Sequence, residues 1–326
     1  VADAAPMARA ARLGTVEWPT LTLLAGCYGL WALGVSVAAT VWLPLGIMLT
    51  ALAITLQSSL CHEALHGHPT RHAGLNEALV FPAMIVFIPY RRFRDLHLAH
   101  HRDEALTDPY DDPESNYLDP AVWADLPRWA QALFRANNTL AGRIVLGPLL
   151  GLALFLRNEI RLLWRGARGV RVAWALHVPA AALVLVFVSA SPMPLWAYLL
   201  AVYGAMSLLK IRTFLEHRAH ARARGRTVVI EDRGPLALLF LNNNLHVVHH
   251  MHPGVAWYRL PALYASRRAH YLRRNDGYLY RSYAEIFRRH FWRAKDPVAH
   301  PLRPGGEAHF REDGPHVAPP VGLPGH

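Results

Sequence analysis

The chain has 326 residues, 53% hydrophobic and 17% charged, and its 34 Lys and Arg outnumber its 23 Asp and Glu to give a net charge of +11. Ordinary soluble domains carry about 25% charged residues, so the composition argues against a soluble globular protein. With only Cys27 and Cys61, it also excludes a disulfide framework or a CxxC metal site.

In chain order, a short N-terminal segment (1–17) precedes a run from Trp18 to Cys61 with no Asp, Glu, Lys or Arg, and a second charge-free run of 38 residues extends from Val172 to Leu209. Crossing a bilayer takes roughly 20 apolar residues in a helix, so each run accommodates two crossings and a tight turn. The first is expected as helices near Pro19 to Ala39 and Leu43 to Leu60, turning around Val41 and Trp42. The second is expected as Val172 to Ala190 and Leu195 to Thr213, turning around Ser191 to Pro194. All basic residues then lie on one side of the membrane, which the positive-inside rule makes the cytoplasm. A buried hairpin in a soluble protein is disfavoured because soluble helices rarely run this long without a polar face. A cleaved signal peptide is disfavoured because another crossing follows directly.

The regions expected are a cytoplasmic segment (1–17), a transmembrane hairpin (18–61), a cytoplasmic or interfacial region (62–171), a second hairpin (172–213), a cytoplasmic region (214–296) and a disordered tail (297–326) rich in Pro, Gly and His. Two shorter apolar runs, Leu79 to Tyr90 and Ile144 to Leu156, are too short to span and are expected to be interfacial, re-entrant or packed under the cytoplasmic domain, in helical form. Between Arg259 and Lys295, arginine pairs alternate with aromatics. This pattern fits helices lying on a membrane surface better than a nucleic-acid patch.

Histidine is the residue type with chemical content, at 20 copies. His62-Glu63-Ala64-Leu65-His66 matches the HExxH pattern of zinc proteases, with Glu63 as general base. Two further clusters, His97-Leu98-Ala99-His100-His101 and His246-Val247-Val248-His249-His250, repeat the i, i+3, i+4 spacing that puts imidazoles on one helical face. All three clusters follow apolar stretches and fall just inside the cytoplasmic face. A mononuclear zinc site takes three or four protein ligands, so the eight histidines call for two metals, and the protease reading leaves two clusters unexplained. A His-rich metal transporter would place ligands near the bilayer midplane, where only His177 is available, and a lone intramembrane histidine is more often an interhelix contact.

The three clusters HEALH, HLAHH and HVVHH, with their order and their placement between two charge-free hairpins, resemble the integral-membrane fatty-acid desaturase and hydroxylase superfamily over roughly residues 18 to 260. The resemblance implies an all-α, four-span membrane protein with a cytoplasmic His-rich di-metal domain. It further implies two iron ions that activate O2 and remove hydrogen from an unactivated C–H bond. It carries His62, His66, His97, His100, His101, His246, His249 and His250 over as ligands, and His217, in Glu216-His217-Arg218, as a ninth. Thr213 stands where one branch of the superfamily has an asparagine that holds a metal-bound water. Asn242, Asn243 or Asn244 is expected to replace it.

Ligating histidines usually donate their second N–H to a carboxylate or carbonyl. Glu63, Asp95, Asp103, Glu104, Asp108 and Glu216 are therefore expected as supports, each in competition with a salt bridge to a nearby arginine. His252-Pro253-Gly254 resembles part of a cytochrome b5 haem motif, but Val255 breaks it. No GxGxxG unit, CxxC set or haem motif supplies electrons, so a separate donor such as a ferredoxin with its reductase is implied. The expected reaction is desaturation of a fatty-acyl or related aliphatic substrate. Hydroxylation or ketolation of a carotenoid, an alkane or a small amino-acid-derived compound is the alternative. The stretches 108–115 and 242–261 look like a bacterial subgroup, which implies an inner-membrane location, and four crossings with the basic residues on one side are expected to leave both termini cytoplasmic.

Overall fold

The computed structural model describes residues 16–101 and 105–303. Asp103 and Glu104, nearly all of the 1–17 segment and residues 304–326 lie outside the described residues.

The first hairpin is α1 (Trp18–Val41) and α2 (Leu43–Leu65), and Trp42, in extended backbone, makes the turn between them. Close approach explains its tightness: a Cβ on Gly34 would meet Thr50 Oγ1 at 2.5 Å, and one on Gly46 would meet the Ala39 backbone at 2.8 Å. The intervening region holds α3 (Ala73–Val80), α4 (Tyr90–His100), α5 (Pro120–Asp125), α6 (Arg128–Asn137), α7 (Leu140–Val145) and α8 (Gly147–Trp164). The second hairpin is α9 (Arg168–Ser189) and α10 (Leu195–Thr213). After it come β1 (Val229–Ile230), α11 (Pro235–Leu239), α12 (His246–Met251), α13 (Leu260–Ser266), α14 (Arg268–Arg274), β2 (Leu279–Tyr280) and α15 (Tyr283–His290). The two short strands pair in parallel, Val229 with Leu279 and Ile230 with Tyr280.

Helices α1, α2, α9 and α10 are each long and apolar enough to cross a membrane. At 1.5 Å per residue, the 23 residues of α2 match a hydrocarbon core about 30 Å thick. Their outer faces expose Val37, Trp42, Leu183, Val186 and Trp196, as lipid contact requires. Helix α2 packs against α1 on one side and α10 on the other.

The apolar run from Leu79 to Tyr90 is helical only up to Val80, contrary to the expectation of helix. Residues 81–89 enter the bundle without regular structure, and Met84 and Val86 pack with Val188, Met193 and Ala197 from the far ends of α9 and α10. Irregular backbone survives at this depth only where protein satisfies its carbonyls. Each span supplies one donor here. Tyr28 Oη of α1 donates to Leu79 O (2.6 Å), Gln57 Nε2 of α2 to Val80 O (3.2 Å), and Tyr198 Oη of α10 to Met84 O (2.7 Å). His177 Nε2 of α9 pairs with Val86 O at 3.0 Å, so the lone intramembrane histidine holds the re-entrant backbone.

The tail expected to be disordered from 297 begins with ordered chain. Leu118 N donates to Val298 O (2.9 Å), His300 N donates to Leu118 O (2.8 Å), and Arg303 bridges Asp108 and Asp119. Composition hid this because the hydrogen bonds are made by backbone.

Arg92 of α4 and Glu159 of α8, both buried, form a two-pronged ion pair with Nε–Oε2 and Nη2–Oε1 at 2.8 Å, and Trp174 of α9 donates to the same carboxylate at 2.9 Å. Removing one partner of a buried pair strands the other charge. Glu159→Ala is therefore expected to destabilise the fold by about 3 to 5 kcal/mol, and the double change Arg92→Met with Glu159→Met by less. Thermal unfolding in detergent would check both.

Candidate metal centre

The nine candidate histidines come from four elements. His62 lies in the last turn of α2 with His66 capping it; His97 and His100 end α4 with His101 after them; His246, His249 and His250 lie on α12. His217 follows α10 in an extended stretch that bridges to Thr227. They assemble into two groups, His62, His66, His97, His101 and His249 in one and His100, His217, His246 and His250 in the other, each with its nitrogen atoms within 4.8 Å of one another. The groups adjoin, since the rings of His101 and His250 stack with centroids 4.3 Å apart.

Inside each group the Nε2 atoms face one another. His101 Nε2 lies 2.9 Å from His97 Nε2 and 3.2 Å from His249 Nε2, and His217 Nε2 lies 2.8 Å from His100 Nε2 and 3.1 Å from His246 Nε2. His62 Nε2 and His66 Nε2 are buried with no hydrogen-bond partner among the described residues. The outward Nδ1 atoms are anchored, His97 by Glu114 (3.0 Å), His100 by Asp112 (2.7 Å) and His246 by Asn243 Oδ1 (3.1 Å). A carboxylate at Nδ1 keeps the proton there and leaves the Nε2 lone pair directed inward, the tautomer a metal ligand requires. The donor set thus fits a pair of metal ions.

Burial, aided by the neighbouring imidazoles, pushes His66 down to about 2 and holds His101, His217, His246 and His249 below the usual histidine range. These rings are neutral at physiological pH, as ligation demands. His100 is the exception: burial opposes its charge, but Glu114 and Asp112 outweigh burial and raise it to about 9. Conversely, burial disfavours the Glu114 carboxylate, and His100 and His97 more than reverse that and hold it below the usual carboxylate range.

The expected supporting residues divide. Glu216 is buried, accepts from Asn243 Nδ2 at 2.8 Å and lies 3.3 Å from Arg212 Nε, so an arginine, a carboxylate and an amide back His246 in series. Glu63 accepts from the Trp257 N–H at 3.1 Å and sits 3.9 Å from His62 Nδ1, behind the ring and away from the converging Nε2 atoms. A protease's general base must face the metal-bound water, so this placement removes the protease role. Asp95 is exposed and pairs with Arg94. Asp108 accepts from the N–H groups of Tyr110 and Asp111 and pairs with Arg303, so neither reaches a candidate histidine. Asn242 takes left-handed backbone at the turn into α12 and donates to Trp257 O, and Asn244 donates to Ile230 O and Asp232 O.

Sequence reasoning missed Asp112 and Glu114, which make the shortest anchors, because it chose acids adjacent to the second cluster. The available signal was the turn-forming stretch Asp108-Pro109-Tyr110-Asp111-Asp112-Pro113-Glu114, whose prolines and acids fold it back over α4; Asp112 also accepts from Thr107 N at 2.8 Å.

Beside the two groups lies a cavity of about 490 Å³ that reaches His217 and Glu114. Its apolar wall includes Phe81 and Ile85 of the re-entrant segment, Leu152 and Phe155 of α8, and Met206 of α10. The arrangement thus brings two imidazole groups able to bind metal against an apolar chamber within the bundle.

Loss of an anchoring partner typically weakens metal affinity by about 10- to 100-fold. Asp112→Ala and Glu114→Ala are expected to show that loss in competition with a chelator, and Asp95→Ala, which touches no imidazole, is expected to retain metal like the unaltered protein.

No curated protein matches the chain. The family model described as fatty acid desaturase matches residues 37–283, a stretch that takes in all nine histidines, the carboxylate-bearing turn and most of the four apolar helices. The chain belongs to the fatty acid desaturase family.

Proposed function

We propose that this protein is a membrane-bound, O2-dependent di-iron oxidoreductase that desaturates an aliphatic substrate of acyl-lipid or related type. The observation that carries the reading is the pair of adjoining imidazole groups, five and four strong, beside an apolar cavity. His62, His66, His97, His101 and His249 would hold one iron, and His100, His217, His246 and His250 the other. When bound, the irons supply the oxidising power that removes hydrogen from an unactivated C–H bond. In the overall balance, the substrate gives up two hydrogen atoms, an external donor supplies two electrons with two protons, and O2 leaves as two waters.

The remaining work falls to the chain. Glu114, Asp112 and Asn243 hold protons or dipoles at Nδ1 and so fix the rings before any metal arrives. Apolar residues of the cavity keep water from the reacting carbon and align an aliphatic chain against His217. Absence of a built-in electron carrier motif and the net charge of +11 favour an acidic partner such as a ferredoxin. The charge-free hairpin turns favour the histidine side as the cytoplasmic side of a bacterial inner membrane.

Purified protein is expected to hold about two irons per chain, because nine imidazoles exceed the needs of one metal. One tightly held zinc by elemental analysis would overturn the reading. Lipid and metabolite extracts from cells with and without the gene are expected to differ in an unsaturated product; a hydroxylated product would identify the hydroxylase alternative.

Topology has its own test. In a variant with Cys27 and Cys61 replaced by serine, cysteines placed at exposed Trp42 and Pro192 are expected to react with an impermeant label from outside, and one at exposed Asp111 only after the membrane is opened. Labelling of Asp111 from outside would invert the orientation. The turn residue Met193 is unsuitable for labelling because it is buried.

A further inference from the structure

His217 differs from the other candidate ligands in how the chain holds it. The other eight lie on α2, α4 and α12 or at their ends, so helical backbone fixes where each ring starts. His217 stands four residues beyond the end of α10, in the extended stretch that bridges to Thr227. Its ring is also weakly anchored. Among the described residues, the contact at its Nδ1 is Thr227 Oγ1 at 3.5 Å, beyond the usual hydrogen-bond range, whereas the anchors of His97, His100 and His246 stand at 3.0, 2.7 and 3.1 Å. The placement of this ring therefore falls to its backbone.

One edge of that backbone is paired within the extended stretch. Arg218 N donates to Arg226 O at 2.9 Å, and Val228 N donates to Glu216 O at 3.1 Å. Antiparallel bonds that flank a residue in this way leave its own N–H and C=O on the opposite edge. There, residues from beyond α15 take over. Lys295 Nζ donates to His217 O, and Tyr117 Oη accepts from Ala219 N at 2.9 Å while donating to Asp296 Oδ2. The side chain of Lys295 is 7% exposed, and Asp296 Oδ2 lies 3.5 Å from its ammonium. Burying an ammonium is unfavourable unless it is paired and hydrogen-bonded. Here the pairing is with Asp296, and the hydrogen bond goes to the carbonyl of a candidate metal ligand.

We propose that Lys295 is a positioning residue for one metal of the pair: by holding the His217 carbonyl it sets that ring against His100, His246 and His250. This rests on the metal-pair reading of the site and gives its two positions unequal support. The five-histidine group draws all its members from helices or their ends, and Lys295 touches none of them. The four-histidine group includes His217, and without a well-placed His217 it falls to three imidazoles. Loosening the Lys295 contact therefore weakens one metal position and spares the other.

Metal uptake measured without turnover tests this. The full chain in phosphatidylcholine nanodiscs, stripped with a chelator, would be dialysed against cobalt(II), with bound metal counted by elemental analysis and its ligand field followed by visible absorption. The unaltered protein is expected to take up about two equivalents. Lys295→Met is expected to weaken one equivalent by about 10- to 100-fold, as loss of a support behind a ligand typically does, and to leave the other unchanged. Lys295→Arg, which keeps a donor, is expected to restore most of that affinity. In a His246→Ala background, where the four-histidine group is already disabled, adding Lys295→Met is expected to leave the remaining equivalent as it was. Asn138→Ala removes the amide that donates to Asp296 O, which loosens the same stretch without touching the His217 carbonyl, and is expected to keep both equivalents. Undiminished uptake in Lys295→Met, equal weakening of both equivalents, or a loss as large in Asn138→Ala or Lys295→Arg overturns the proposal while the metal pair stands. Fewer than two equivalents in the unaltered protein would instead overturn the metal-pair reading, and the proposal with it.

Discussion

Uncharged imidazole has one N–H and one lone pair, and the rest of this structure depends on how those two are disposed. At the centre of the protein the Nδ1 atoms of His97 and His100 turn outward to carboxylates, and the Nε2 atoms face one another within each group at about hydrogen-bond distance. Positive charge among the rings relieves that convergence, whether as metal ions or as the proton that Glu114 and Asp112 favour on His100. The two hairpins and the carboxylate turn can be understood as the frame that keeps nine rings in that otherwise repulsive arrangement. The anchors at Nδ1 hold the rings in place without a metal, and such preorganisation is what precise ligand geometry requires.

A second constraint comes from lipid. The chain needs a chamber beside the metal cage and inside the bundle, and it makes one wall from a segment without regular structure. That segment is tolerable because Gln57, Tyr198 and His177 take up the carbonyls of Pro82, Met84 and Val86 within it, while Tyr28 and Gln57 hold Leu79 O and Val80 O where α3 leads into it. Each would look out of place in an apolar helix read alone. Together they give these four polar side chains a common purpose within the spans.

Much of the fold was legible in the sequence for a simple reason. Absence of charge over long stretches is a one-dimensional signal, and so is i, i+3, i+4 spacing; both survive without knowledge of tertiary contacts. The four apolar helices were placed to within a few residues, with the starts of α2 and α10 at Leu43 and Leu195 as read from the pattern. The gathering of HEALH, HLAHH and HVVHH was likewise foreseeable from their faces and order. What stayed hidden depends on chain reversal. Asp112 and Glu114 lie more than ten residues beyond the histidines they anchor, and proximity in sequence favoured Asp95, which points to solvent. A re-entrant course for this segment was among the expectations, but its irregular backbone was hidden for a related reason, since apolar composition does not distinguish helix from irregular backbone held by distant side chains.

The ordered stretch from Lys295 to Arg303 closes over this machinery. Lys295 Nζ donates to the carbonyl of His217, Val298 and His300 pair with Leu118, and Arg303 grips Asp108 at the start of the carboxylate-bearing turn and Asp119 just before α5. These residues emerge from the ribosome after every histidine of the cage. While the chain is being made, the anchors of His97 and His100 therefore lack the contacts that hold their turn in place. The rings of His97 and His100 are therefore fully anchored only in the finished chain, once its last ordered stretch has closed over the turn.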